Sequence, residues 1–167
     1  MSKIERKYLA HFINTAAPAA DGAAAQAVYE RLGKDLTEYS PELAAEVSTS
    51  QNICGETSVV ISSYKKTASV EPYYAESGSG LFDRLQTIID DGLVLDALKT
   101  DVVEVKLWEK GENGAFPAIK EEAYIEVTSY GGDTAGYKIP FKLHYNGVKV
   151  KGTFDPAKKT FTPAAAE

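Results

Sequence analysis

The sequence predicts a mainly β protein, an antiparallel sandwich or barrel with one α-helix, over about residues 79–91, on its flank. Three observations carry this. About eight or nine short segments are rich in Val, Ile, Thr, Tyr and Phe and alternate apolar with polar residues, the period of a half-buried strand. Turn-forming Gly, Asn, Asp and Pro separate those segments. One stretch alone, "SGSGLFDRLQTIIDDG", carries its apolar residues at helical spacing. At 167 residues the whole chain, 1–167, fits a single domain with a sizeable core.

The elements follow in order. "IERKYLAHFI", residues 4–13, is apolar on both sides. It reads as a strand covered on two faces or as an N-terminal arm, 1–13, that docks elsewhere. "NTAAPAADGAAAQ", 14–26, is broken by Pro18 and the Asp21-Gly22 turn signal, so a mobile loop is expected, with a short helix near 23–26 as an option. "AVYERLG" reads as a strand. "KDLTEYSPELAAEVSTSQNICGET", 34–57, is less defined: Ser40 and Pro41 suit the start of a helical turn reaching Val47, followed by an extended loop. Strand signals resume in "TSVVISSY" and "TASVEPYYA". Ser79 is a good helix N-cap and Gly92 a good stop, with Asp83, Arg84, Gln86, Thr87 and Asp90 expected on the solvent side. "TDVVEVKLWEK", "AYIEVTSYGG" and "TFTP" complete the strands, with turns at "GENG", Gly131–Gly136 and "DPAKK".

The stretch "KIPFKLHYNGVKVKGTFD", 138–155, alternates on both sides of Asn146-Gly147, a strong signal for a two-residue hairpin. That register pairs Tyr145 with Val148, Leu143 with Val150, Phe141 with Gly152 and Ile139 with Phe154. It also collects Lys138, Lys142, His144, Lys149 and Lys151 on one outer face, with Lys142 opposite Lys151, an unfavourable like-charge pair.

A net charge of −6 argues against general affinity for nucleic acid. The single Cys54 excludes an internal disulfide framework and suits a reducing cytoplasm. No apolar run has the length of a membrane span, and the charged "MSKIERKYLAHFI" is unlike a secretory leader. His11 and His144 lack Asp or Ser neighbours in a recognised catalytic pattern, and Cys54 lacks a basic neighbour to activate it, so it is expected to be a small buried residue. Two His and one Cys cannot build a typical zinc site. Asp90-Asp91 and Glu121-Glu122 are expected to be solvated charges, and "GSGLFD" lacks the third glycine of a dinucleotide loop. Neither catalytic residues nor a cofactor or metal is expected, and the chain is expected to work by shape.

The order of "RLGKDLTEYS", the long loop, "ICGETSVVISSY", "SVEPYY", "GLFDRLQTIIDDG", "SYGGDTAGYKIPFKLHYNG" and "VKGTFDPAKKTFTPA" resembles the major tail proteins, or tail tube proteins, of long-tailed bacteriophages that infect Gram-positive bacteria. The alanine-rich insertion at 15–27 is longer than that pattern. The resemblance covers nearly the whole chain and implies a β-sandwich flanked by a helix, six of which close into a ring. Ring inner walls form a continuous β-barrel, rings stack into a tube, and DNA passes through the bore without specific binding. It implies partners in other copies of the chain and in the tape measure, tail terminator and distal tail proteins, and a place in the virion tail after assembly in the bacterial cytoplasm. It also implies that Met1–Ile13, about Ser40–Thr57 and about Lys159–Glu167 reach neighbouring subunits. Tyr8, Phe12, Glu42, Glu46, Lys142, Lys151 and Phe161 are the candidate contacts, with Glu42 and Glu46 of one copy expected between Lys142 and Lys151 of the next. The acidic balance fits a conduit that repels phosphate. The alternatives are a monomeric ligand- or carbohydrate-binding sandwich using Trp108 and surface tyrosines, and a nucleic-acid module using the lysine stripe.

Overall fold

The computed structural model describes residues 1–19 and 26–166. The strands are β1 (Leu9–Asn14), β2 (Tyr29–Leu32), β3 (Ala45–Gln51), β4 (Thr57–Tyr64), β5 (Thr67–Val70), β6 (Lys99–Lys106), β7 (Phe116–Val127), β8 (Gly131–Asp133), β9 (Gly136–Lys138), β10 (Phe141–Asp155) and β11 (Thr160–Pro163). The single α-helix among the described residues, α1, spans Gly80–Asp91. The main sheet has the order β11-β10-β7-β6-β1-β2, and β5 also pairs with β10. All its pairings are antiparallel. The expected mainly β architecture with one helix is what forms.

Two cores lie on opposite faces of this sheet, because its long strands change which side they bury. In β7 the residues alternate without a break, yet Ala123 and Ile125 enter one core and Ala118 the other. The first core gathers Ile13, Val102, Ile125, Phe141 and Leu143 under Leu81, Leu85 and Ile88 of α1. The second gathers Ala10, Phe12, Tyr29, Val103, Val105 and Phe154. There the sheet curls far enough to bring the Phe154 ring within 4.5 Å of Phe12 and 5.5 Å of Tyr29, although β7 and β6 separate β10 from β1. This explains the double-sided apolar pattern of residues 9–13: β1 lies inside the sheet between β2 and β6 and is covered on both faces. The arm expected over 1–13 is thus shorter, its exposed part ending at Tyr8.

The helix has the expected caps. Ser79 Oγ accepts from the Phe82 amide, and Gly92 takes the left-handed conformation (φ 59°) that ends the helix. Glu30 of β2 reinforces the N-terminus: one carboxylate oxygen accepts from the Ser79 hydroxyl at 2.7 Å and the other from the Leu81 amide at 3.2 Å. An anion at this helix end is favoured by the aligned peptide dipoles. Ser79→Ala is expected to cost about 1 kcal/mol, read from urea unfolding. Arg84 corrects the helix reading. It is buried rather than solvated, and its guanidinium donates to the carbonyls of Ala16, Ala97 and Lys99. Burial holds its pKa below the usual guanidinium value.

Asn146-Gly147 does not make a hairpin. β10 runs through it as one strand paired with β7 from Phe141↔Val127 to Phe154↔Phe116, with a bulge between Tyr145 and Lys149. Gly147 does adopt a positive φ of 85°, but a bulge uses that conformation as readily as a turn does. Asn146 fixes it by accepting from the Val148 amide and donating to Glu122. The predicted cross-strand pairs are therefore replaced: Tyr145 faces Ala123 and Val150 faces Lys120. Because β10 continues as one strand instead of folding back, the lysine stripe is divided between two faces. Lys142 lies opposite Glu126, while Lys149 and Lys151 lie opposite Glu121 and Ile119 on the other face of the sheet.

Residues 40–57 contain no helical turn. After the Glu42↔Thr67 bridge the chain enters β3, which pairs with β4 in a separate two-stranded sheet. Elsewhere the turn at Asn113-Gly114 and the closing strand β11 lie where they are expected, while the loop expected over Gly131–Gly136 forms the small β8–β9 hairpin. Residues 20–25 of the alanine-rich loop, with most of its optional helix at 23–26, lie outside the described residues.

Candidate assembly surface

The β3–β4 hairpin projects from the body: every residue from Glu42 to Lys65 is exposed. Its tip is held by Asn52, whose side-chain oxygen accepts from the Cys54 and Glu56 amides and whose side-chain nitrogen donates to Glu56. The two faces differ. Pairing places Val47 with Ile61 and Thr49 with Val59 on one face, and Ser48 with Val60 and Ser50 with Ser58 on the other. Val47, Val59 and Ile61 remain 54%, 62% and 53% exposed. Residues 47–55 and 57–64 contain no charged side chain. An isolated two-stranded ribbon is marginal in water, and an uncharged aliphatic ribbon with two free edges is a template for association.

A second apolar surface lies elsewhere on the chain. Ile88 and Ile89 of α1, Leu93 and Leu98 after it, Glu126 and Val127 at the end of β7, and Tyr130 beyond it line a groove of about 440 Å³. Val94, Leu95 and Tyr130 are exposed around it.

The root of the hairpin lies over a buried polar cluster. Lys66 Nζ is 2.5 Å from Glu121 Oε1 and 4.6 Å from the centre of the Tyr145 ring. The Tyr145 and Tyr39 hydroxyls are 3.4 Å apart, the Tyr39 ring meets His11 edge-on at 4.7 Å, and His11 Nε2 lies 3.1 Å from Glu104 Oε2. Burial pushes Tyr39 up to about 12 and raises Tyr145 further. The hydrogen bond with His11, more than any other influence, holds the Glu104 carboxyl below its ordinary value. Glu121 is therefore buried, correcting its expected solvation, and nothing in its sequence neighbourhood signals this.

The sequence-predicted contacts are dispersed. Tyr8 is partly exposed, with the Lys7 ammonium 5.2 Å from its ring centre. Phe12 is corrected outright: at 3% exposure it belongs to the second core and has no free side-chain surface for a neighbour. Glu42 bridges to β5, and Glu46, at the hairpin root, accepts from Ser63 and lies 3.7 Å from Lys65. Lys142 and Lys151 are on opposite faces, so no acidic loop can be wedged between them as a pair. Phe161 is half-buried against the second core, beneath the Lys120 ammonium, and Thr160–Pro163 of the expected C-terminal tail pair with the chain's own β10. Cys54 is exposed at the hairpin tip, not buried. His11 is buried, and the more exposed His144 lies 2.5 Å from Glu126. Trp108 is partly exposed.

Among the described residues, no group of three or more His, Cys, Asp or Glu is arranged to hold a metal ion, and no helix is long and apolar enough to cross a membrane. No protein-family model matches the chain, and no curated protein matches it as a relative.

Proposed function

We propose that the chain is a structural subunit that assembles with copies of itself, closing into hexameric rings that stack as the tail tube of a bacteriophage and conduct DNA during ejection. The observation that carries this reading is the β3–β4 hairpin: a ribbon without charge from residue 47 to 55 and from 57 to 64, whose aliphatic face and both edges have no partner among the described residues. Burying that face supplies a hydrophobic driving force of roughly 25 cal/mol per Å², and a second copy is the partner present at highest concentration in a self-assembling system. The hairpin and the α1–β7 groove are made by different residues. A contact between them is head-to-tail, and head-to-tail contacts generate rings or filaments rather than closed dimers.

The hexamer, the stacking, the tape measure, terminator and distal tail partners, and the passage of DNA come from the resemblance of the sequence to tail tube proteins. The negative charge of −6 per copy is compatible with a passage that does not retain DNA. Negative-stain electron microscopy of the concentrated protein tests the reading. Rings or tubes of uniform diameter are expected, and a protein that stays monomeric, alone and with the other tail components, would overturn it.

A further inference from the structure

The hairpin leaves the body through a narrow root. The Glu42 and Thr67 amides and carbonyls pair with one another at 2.7 and 2.9 Å, and the Lys65 amide donates to Ala44. Beyond these bonds the backbone offers little to resist bending. Ala44 has a left-handed φ of 42°, and the β3–β4 register shifts between Glu46 and Val47. All side chains from Glu42 to Lys65 face solvent, so none of them braces the hairpin against the body. Lys66 is the first that turns inward. Its side chain is 14% exposed, its ammonium meets Glu121, and its carbonyl accepts from the Tyr145 amide. Glu121 is 6% exposed, and its Oε2 has no hydrogen-bond partner among the described residues.

We propose that the Lys66–Glu121 pair is the anchor that fixes the direction in which the β3–β4 hairpin leaves the body. A buried ion pair is a poor source of net stability, because desolvation offsets its attraction. Its geometric demand is strong, however: a lysine ammonium removed from water must stay on its carboxylate, and the backbone that carries it must follow. Lys66 lies two residues after the end of β4, so holding its ammonium holds the hairpin exit. The surrounding groups complete the socket. Tyr145 presents its ring to the ammonium, Tyr39 meets the Tyr145 hydroxyl, and Arg6 donates to the Tyr39 carbonyl at 2.9 Å. The socket thus draws on the N-terminal segment, the loop before β3, β7 and β10. This inference concerns the isolated chain and goes beyond the assembly reading.

Cys54 provides the measurement, being the chain's one cysteine and exposed at the hairpin tip. A nitroxide on Cys54 and a second on Asp91→Cys at the exposed end of α1 report hairpin direction as a distance distribution, by pulsed dipolar spectroscopy on dilute monomer. The distribution is expected to be narrow with Lys66 and Glu121 intact, and at least twofold broader in Lys66→Met/Glu121→Met. The double apolar variant is chosen because it leaves no unpaired buried charge, so the body keeps its melting temperature. Lys65→Met, which alters the exposed neighbour, is expected to leave the width unchanged. An unaltered width in the folded double variant, or equal broadening in Lys65→Met, would overturn the proposal. Neither result depends on whether tubes form.

Discussion

Replacing Val59 and Ile61 together by Lys is expected to abolish assembly while leaving the monomer folded. Both residues lie on the aliphatic face of the hairpin, opposite Thr49 and Val47, and both are more than half exposed. Exposed substitutions of this kind move monomer stability by less than about 0.5 kcal/mol each. In an interface with the groove the same lysines would be taken out of water among mainly apolar side chains, where Glu126 is the one carboxylate among the lining residues and already lies 2.5 Å from His144. A buried, unpaired ammonium costs several kcal/mol. At about 3 kcal/mol per contact, the concentration at which assemblies appear rises by at least a hundredfold. Sedimentation velocity against concentration measures this, and circular dichroism confirms the fold. Ser48→Lys on the opposite face is expected to be milder. If the double variant assembles at the concentration of the unmodified chain, the aliphatic face is not the contact.

Phe154→Ala is expected to destabilise the chain by about 3–5 kcal/mol, the range for truncating a fully buried aromatic side chain. Phe154 has no exposed surface and joins β10 to β1 and β2 across the curl through Phe12 and Tyr29. Removing the ring leaves a cavity between strands that are not hydrogen-bonded to one another, so backbone pairing cannot close it. Against a typical margin of 5–15 kcal/mol, that is a large fraction of the total. Phe161→Ala, at the half-buried edge strand β11, is expected to cost about 1 kcal/mol. Urea unfolding at 25 °C separates the two. A loss below about 1 kcal/mol for Phe154→Ala would mean that the curl is not a packed core.

The helix, its two caps and the strands with a buried face were legible because each leaves a local signature: Leu81, Leu85 and Ile88 one turn apart, and Val103 and Val105 at period two. The double-sided apolar run of β1 was also legible, although only the curl of the sheet decides between a covered strand and a docking arm. Asn146-Gly147 misled because the left-handed glycine it supplies serves a bulge as well as a turn. What distinguishes them is the length of β7, twelve residues that pair along the whole of β10, and that is a non-local fact.

The strand of "TSVVISSY" was legible as β4, whereas its partner β3 escaped for a different reason. β3 buries nothing, so "AEVSTSQ" carries no hydrophobic period, and its signal lies in Val and Thr content on both sides of the "NICGE" turn. The anchor was invisible altogether. Lys66 and Glu121 are 55 positions apart, and each stands beside a like charge, Lys65 or Glu122, so each reads as solvated until the fold brings its partner.

Completion of the hairpin by another copy of the chain is expected to shield its backbone amides from solvent. Hydrogen exchange of the residue 45–64 amides, compared between dilute monomer and assembled protein, tests it most directly. Protection at least tenfold greater is expected in the assembled material, concentrated in the exposed edges of β3 and β4. Assemblies in which those amides exchange as fast as in the monomer would contradict it.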